Sequence, residues 1–215
     1  MKRSLIALFV LIMLACACPA AFGQRTNSNK EIIPQRNYQP LKAADSVALR
    51  SILDSAISDA LKNSTTAIYK DTELSAALID LSDPSRIVRA DHNGELRLYP
   101  ASVVKLFYLA ALERQTEDDK VTITPELTRG VHDMIVDSSN EATQYILDVL
   151  TGTSSGAELP PKEFDLWQYK RNRVNRYFTA MGYTEINVNQ KTFCEDAYGI
   201  EQQSRNYKGE NRNML

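Results

Sequence analysis

The sequence predicts an α+β fold in which several helices pack against a small sheet. Three observations carry this. Stretches with apolar residues at three- and four-residue steps dominate the chain. Two short strand-like segments occur early, separated by a turn signal. The composition, 43% hydrophobic and 24% charged, is that of an ordinary soluble domain with a single core.

The elements follow in order. Residues 45–61 form a helix, with Val47, Leu49, Ile52, Leu53, Ala56, Ile57 and Leu61 on its apolar side. Residues 67–81 alternate loosely, most densely over 74–81, and read as a strand. Ser82-Asp83-Pro84-Ser85 is a turn. Residues 87–90 make a second strand, and Asp91-His92-Asn93-Gly94 the next turn. Residues 102–114 form a helix with apolar residues on nearly every side, which predicts burial all round. Thr124 caps a further helix with Pro125 at its first position. Another runs over 139–150 and is stopped by Gly152. Residues 164–181 read as one aromatic, basic helix ending at Gly182, and 183–193 alternate loosely. The tail from 194 to 215 is polar, with no clear period.

The N-terminus carries an export signal. Lys2 and Arg3 precede an apolar run over 5–15, which is too short to span a bilayer. Ala21-Phe22-Gly23 offers small residues for cleavage before Gln24. Met13-Leu14-Ala15-Cys16 is a competing lipoprotein-like box that would leave an acylated Cys16 in a membrane. The expected division is a signal peptide over 1–23, a flexible polar linker over 24–41 and one domain over 42–215. The product is periplasmic or secreted, or membrane-anchored if lipidated.

Charge and composition exclude several classes. Twenty-five basic residues against 27 acidic ones leave a net charge of -2, no electrostatic case for nucleic acid. After cleavage Cys194 is the sole cysteine, so there is no disulfide framework; it reads as a small, partly buried residue, with a reactive thiol as the alternative. His92 and His132 are far apart in sequence, and no metal-ligand cluster or cofactor is expected.

The chemistry lies in two segments. In Tyr99-Pro100-Ala101-Ser102-Val103-Val104-Lys105, a serine opens a helix and a lysine follows one turn later on the same face. Burial disfavours the ammonium form of such a lysine and lowers its pKa, so its amine can take the hydroxyl proton. The N–H of Ser102 could form half of an oxyanion hole. The plainer reading is a helix cap with a lysine that snorkels to the surface, but this helix shows no polar face in its first three turns. In Asp137-Ser138-Ser139-Asn140-Glu141, a second hydroxyl and an amide sit two residues apart. The plainer alternative is a cap for the next helix, by Ser138 or Ser139.

Together, Ser102-Val103-Val104-Lys105 and Ser138-Ser139-Asn140 resemble the S-x-x-K and S-D-N signatures of class A β-lactamases and penicillin-binding proteins. The resemblance covers 41–215. It implies a β-lactamase/transpeptidase-like fold, a helical lobe and an α/β sheet lobe with the cleft between. It also implies that Ser102 is acylated, Lys105 acts as base, Ser138 shuttles the proton and Asn140 binds a substrate amide. The substrate would be a small-molecule β-lactam or a peptidoglycan-like amide or ester, and no cofactor is implied.

The sequence departs from that family at four points. Ser139 replaces the Asp of S-D-N. The two signatures stand closer together than is usual, which implies a reduced helical lobe and an open cleft. E-x-x-L-N, which carries the deacylating Glu, is absent, and Glu195 and Asp196 are the only acids over 189–196, where it is expected. K-S/T-G is absent too: Lys191-Thr192 is followed by Phe193, and Lys208-Gly209 by Glu210. The sheet is therefore expected to be incomplete, as in a chain shortened before its C-terminal strands, and two alternatives to a hydrolase stay open: a penicillin- or peptidoglycan-binding protein that acylates without turnover, or an inactive truncated homologue.

Overall fold

The computed structural model describes residues 30–63, 74–209 and 211–215. The expected export signal, Cys16 and the first part of the strand expected over 67–81 lie outside the described residues. The fold is α+β. Among the described residues it has seven α-helices and a three-stranded mixed sheet.

The sheet lobe is small. Strand β1 (Ala44–Asp45) leads into helix α1 (Val47–Asn63), followed by β2 (Ala76–Asp80) and β3 (Val88–His92). The order is β1-β3-β2, with β3 parallel to β1 and antiparallel to β2. The register pairs Ala76 with His92 and Asp80 with Val88. The two-residue β1 is too short to leave a periodic signal in the sequence. Ser46 Oγ accepts the Leu49 N–H at 3.3 Å and starts α1. Leu53, Ile57 and Ala90 are the buried centre of this lobe, with Leu49, Leu61, Leu74, Ala76 and Leu78 around them.

The helical lobe holds the main core. A 3₁₀ turn (Ala101–Val103) runs into α2 (Val104–Glu117), then α3 (Pro125–Ile135) and α4 (Asn140–Thr151). After these come α5 (Pro161–Arg171), α6 (Arg173–Ala180) and α7 (Ile200–Arg205). Val104, Tyr108, Leu112, Met134, Ile146, Leu147, Leu150 and Val174 are each exposed by 1% or less. The local signals act as their chemistry dictates. Thr124 Oγ1 accepts the Leu127 N–H with Pro125 at the first position, and Gly152 ends α4 at φ 63°.

Several expectations are corrected. The helix expected over 102–114 is not buried all round: Val103, in the 3₁₀ turn, is 58% exposed and Leu106, in α2, is 62% exposed, because the apolar excess covers more of the segment than the core can reach. The single helix expected over 164–181 is two. Asn172, at φ -81° and ψ 14°, breaks it, and its Nδ2 donates to the carbonyl of Gln168 at 2.9 Å. The tail is not structureless, since it contains α7. That helix is entered through Gly199 at φ 56°, where a Cβ would lie 2.0 Å from the Gly156 carbonyl oxygen.

The segment over 183–193 forms no regular strand. It makes one antiparallel bridge, Asn187 to Met214, and buries Val188, Asn189, Gln190, Lys191 and Thr192. The described part of the polar stretch read as a flexible linker is also anchored. Ile32 is buried in the main core, and the Glu31 carboxylate accepts from Arg176 at 2.6 and 3.1 Å.

Candidate active site

Two strained residues shape the site. Ala101, just before Ser102, has φ 46°, and Ser138 has φ 53°. Neither is a glycine, and the left-handed region costs a residue with a Cβ about 1–2 kcal/mol. Such strain persists where the surrounding structure imposes it. At Ala101 it turns the chain abruptly into the 3₁₀ turn carrying Ser102. At Ser138 it lets the chain leave α3 and start α4 within a few residues.

The choice between Ser138 and Ser139 as cap is resolved by position. Ser139 caps α4, its Oγ accepting the Ala142 N–H at 3.1 Å. That leaves the Ser138 hydroxyl available to point at α2.

The four residues singled out in the sequence meet. Lys105 Nζ donates to Ser138 Oγ at 2.9 Å, to Asn140 Oδ1 at 3.2 Å and to the Ser138 carbonyl oxygen. The Ser138 hydroxyl donates to Ser102 Oγ at 3.2 Å. Among the hydrogen bonds of the described residues, none joins Ser102 directly to Lys105. The direct pairing expected from their spacing is thus replaced by a chain, Ser102–Ser138–Lys105. The physical reason is that Ser102 lies in the 3₁₀ turn rather than in α2 itself.

Lys105 is 3% exposed, and its three N–H donors meet three neutral oxygens. Loss of hydration holds its pKa below the ordinary lysine value, while the negative charges of Glu141 and Cys194 partly offset that. No carboxylate bonds to it among the described residues. Glu141 accepts instead from Ser139 Oγ at 3.3 Å.

The surroundings divide into an open mouth and a fixed wall. Ser102 and Ser138 are both exposed. The wall is residues 190–194. Gln144 Nε2 donates to the Thr192 carbonyl at 2.8 Å and Tyr108 Oη to the Gln190 carbonyl at 2.7 Å. Beside it lies a cavity of about 230 Å³ with Tyr99, Phe193, Lys191, Arg205 and Arg212 among its lining residues. A larger cavity, about 690 Å³, runs along α7 and the loop before it and contains none of the four site residues.

Sequence reasoning missed two features. Cys194 is exposed rather than partly buried, and Asn140 Nδ2 donates to its Sγ at 3.5 Å. Its place at the rim of the site had no sequence signal, because 54 residues separate it from Asn140. His132, Asp133 and Asp137 bring potential ligand atoms within 4.8 Å of one another, a grouping that the positions of the two histidines alone do not reveal.

No family model, no curated protein and no solved structure matches the chain.

Proposed function

We propose that the chain is an exported serine hydrolase of the β-lactamase and penicillin-binding type, which attacks a β-lactam or a related amide or ester through Ser102. The observation that carries the reading is the hydrogen-bonded chain from Ser102 through Ser138 to a buried lysine with neutral acceptors only. The β-lactamase-like arrangement of the two lobes belongs to the same proposal.

The residues perform the reaction as follows. Lys105 loses one proton and presents a lone pair to Ser138. The Ser102 hydroxyl turns its proton towards Ser138 Oγ and attacks the carbonyl carbon, while the Ser138 proton passes to Lys105. A tetrahedral oxyanion forms, and the backbone N–H of Ser102 helps to hold it. Collapse breaks the carbon–nitrogen bond, and the proton returns through Ser138 to the leaving nitrogen. The product is an ester on Ser102. Asn140, which accepts from Lys105, binds a substrate amide through its remaining valences.

A second reading is acylation without turnover, the behaviour of a penicillin-binding protein. It is favoured by the absence, among the described residues, of a carboxylate bonded to Ser102, Ser138 or Lys105. Water needs a base to cleave the ester. A fluorescent penicillin tests both. Labelling that is lost in Ser102→Ala supports the acylation common to the two. Rapid hydrolysis of a chromogenic cephalosporin then selects the hydrolase, and stable labelling without hydrolysis selects the binder. A wild-type protein that is neither labelled nor able to hydrolyse the cephalosporin overturns both.

A further inference from the structure

A second cluster of chemically capable side chains lies on the other side of the turn that carries Ser138. Helix α3 ends at Ile135. His132 is in its last turn, Asp133 follows, and Asp137 lies just beyond the end. One ligand atom from each comes within 4.8 Å of the other two. Three atoms so spaced share a point about 2.8 Å or less from each, and metal–ligand bonds are about 2.0–2.2 Å. Small rotations of exposed side chains close that difference: the His132 and Asp133 side chains are 62% and 28% exposed.

The donor set is one imidazole nitrogen and two carboxylates. Imidazole suits Zn²⁺ and related transition metals, and it distinguishes this set from an all-oxygen surface cluster. The setting helps, because the carbonyl end of a helix carries partial negative charge and favours a cation. His132 Nδ1 already lies 3.4 Å from Asp133 Oδ1. The opposing charge is Arg129, which donates to Asp133 Oδ2 at 3.1 Å and also pairs with Glu126. It leaves Asp133 Oδ1 for a metal.

We propose that His132, Asp133 and Asp137 form a binding site for a divalent transition metal ion of the Zn²⁺ class at the C-terminal end of α3. A bound ion would tie the last turn of the helix to Asp137, the residue before Ser138. It would thereby brace the left-handed turn that presents Ser138 to Lys105. Metal binding itself does not depend on the proposed hydrolase activity.

The test uses Zn²⁺ on the full-length protein and reads the imidazole nitrogens by NMR. The chain has two histidines, so the spectrum is simple. Zn²⁺ should shift the His132 ring nitrogens saturably and leave those of His92 unmoved. Asp137→Asn should abolish the saturable shift. Arg129→Ala, which removes the competing guanidinium, should move the midpoint to lower Zn²⁺. The proposal is overturned if His132 stays unshifted at saturating Zn²⁺, or if the shift survives Asp137→Asn unchanged. A midpoint moved to higher Zn²⁺ in Arg129→Ala would remove Asp133 from the site. Penicillin labelling is a separate measurement, so failure of the hydrolase reading leaves these outcomes interpretable.

Discussion

Among the described residues two lysines are buried, and they live in opposite environments. Lys191 is 5% exposed and sits among charges. Its Nζ lies 2.6 Å from the Asp148 carboxylate and 3.7 Å from Glu201, and it donates to Ser155 Oγ at 2.9 Å. Arg171, fully buried, completes the group at 2.7 Å from Glu201 and 4.3 Å above the Trp167 ring. Lys105, equally buried, has three neutral oxygens and no carboxylate. A buried cation that only holds structure together needs opposite charge beside it. One placed among neutral acceptors is easier to deprotonate, which is what a base requires. The difference suits Lys105 to the proposed role of base and Lys191 to a structural one.

The comparison predicts two separable failures. Lys105→Met should lower the rate of acylation by a penicillin about 10²–10⁴-fold, the usual contribution of a positioned base, while leaving a folded protein. Stopped-flow labelling measures the first and thermal unfolding the second. A variant that still acylates at the wild-type rate would make Lys105 a bystander. Lys191→Met should do the reverse. It leaves Asp148 and Glu201 with Arg171 as their remaining cationic partner, and breaking a buried pair costs about 3–5 kcal/mol. Denaturant unfolding reads that loss. A stability within about 1 kcal/mol of wild type would place Lys191 outside the structural role given to it here.

The pH dependence is the next largest effect. In the proposed reaction Lys105 works as the free amine, and burial lowers its pKa. Acylation should therefore rise with pH through that lowered value and level off before the ordinary lysine range. The sign for stability is the same. Between the folded and unfolded pKa values the unfolded chain binds more protons, so stability increases with pH there. The destabilising contribution of burying the ammonium is complete below the folded pKa. Glu141 supplies the larger of the two charges that hold the proton on. Glu141→Gln should move the acylation profile to lower pH. An unmoved profile would show that Glu141 does not act on the base, and a profile centred at the ordinary lysine value would contradict the buried environment of Lys105.

How much of this could be read from the chain depends on sequence distance. Ser102 and Lys105 are three residues apart, Ser138 and Asn140 two, and such local pairs carry helix and cap signals that physical rules recognise. The α+β class was legible for the same reason: α1, α3 and α4 each have a period or a cap. The pairing of Lys191 with Asp148 and of Arg171 with Glu201 was not, since 43 and 30 residues separate the partners. Nor was the turn geometry. The left-handed conformations at Ala101 and Ser138 occur at residues that do not announce them, and they decide that Ser102 reaches Lys105 only through Ser138. The buried course of 188–192 was illegible because its polar side chains bond inward, as Gln190 does to Ser204 Oγ at 3.1 Å and Asn189 to Asn172 at 2.7 Å.

The smallest effect tests whether the neutral setting of Lys105 is held by the cap beside it. Ser138 supplies two of the three oxygens around Lys105, and Ser139 starts α4 through its bond to the Ala142 N–H. Ser139→Ala removes that bond, and loss of a cap costs about 1 kcal/mol. The cap bond and the acceptors come from different atoms, the Ser139 side chain for one and the Ser138 hydroxyl and carbonyl for the other. Ser139→Ala should therefore lower unfolding stability by about that amount and leave the acylation rate near wild type, because α2 and the 190–194 wall still hold the turn in place. Ser138→Ala should give the opposite result, a slow enzyme with stability little changed. If Ser139→Ala slows acylation as much as Ser138→Ala does, the turn is held by its cap alone, and the acceptors around Lys105 depend on the start of α4 rather than on the packing against α2.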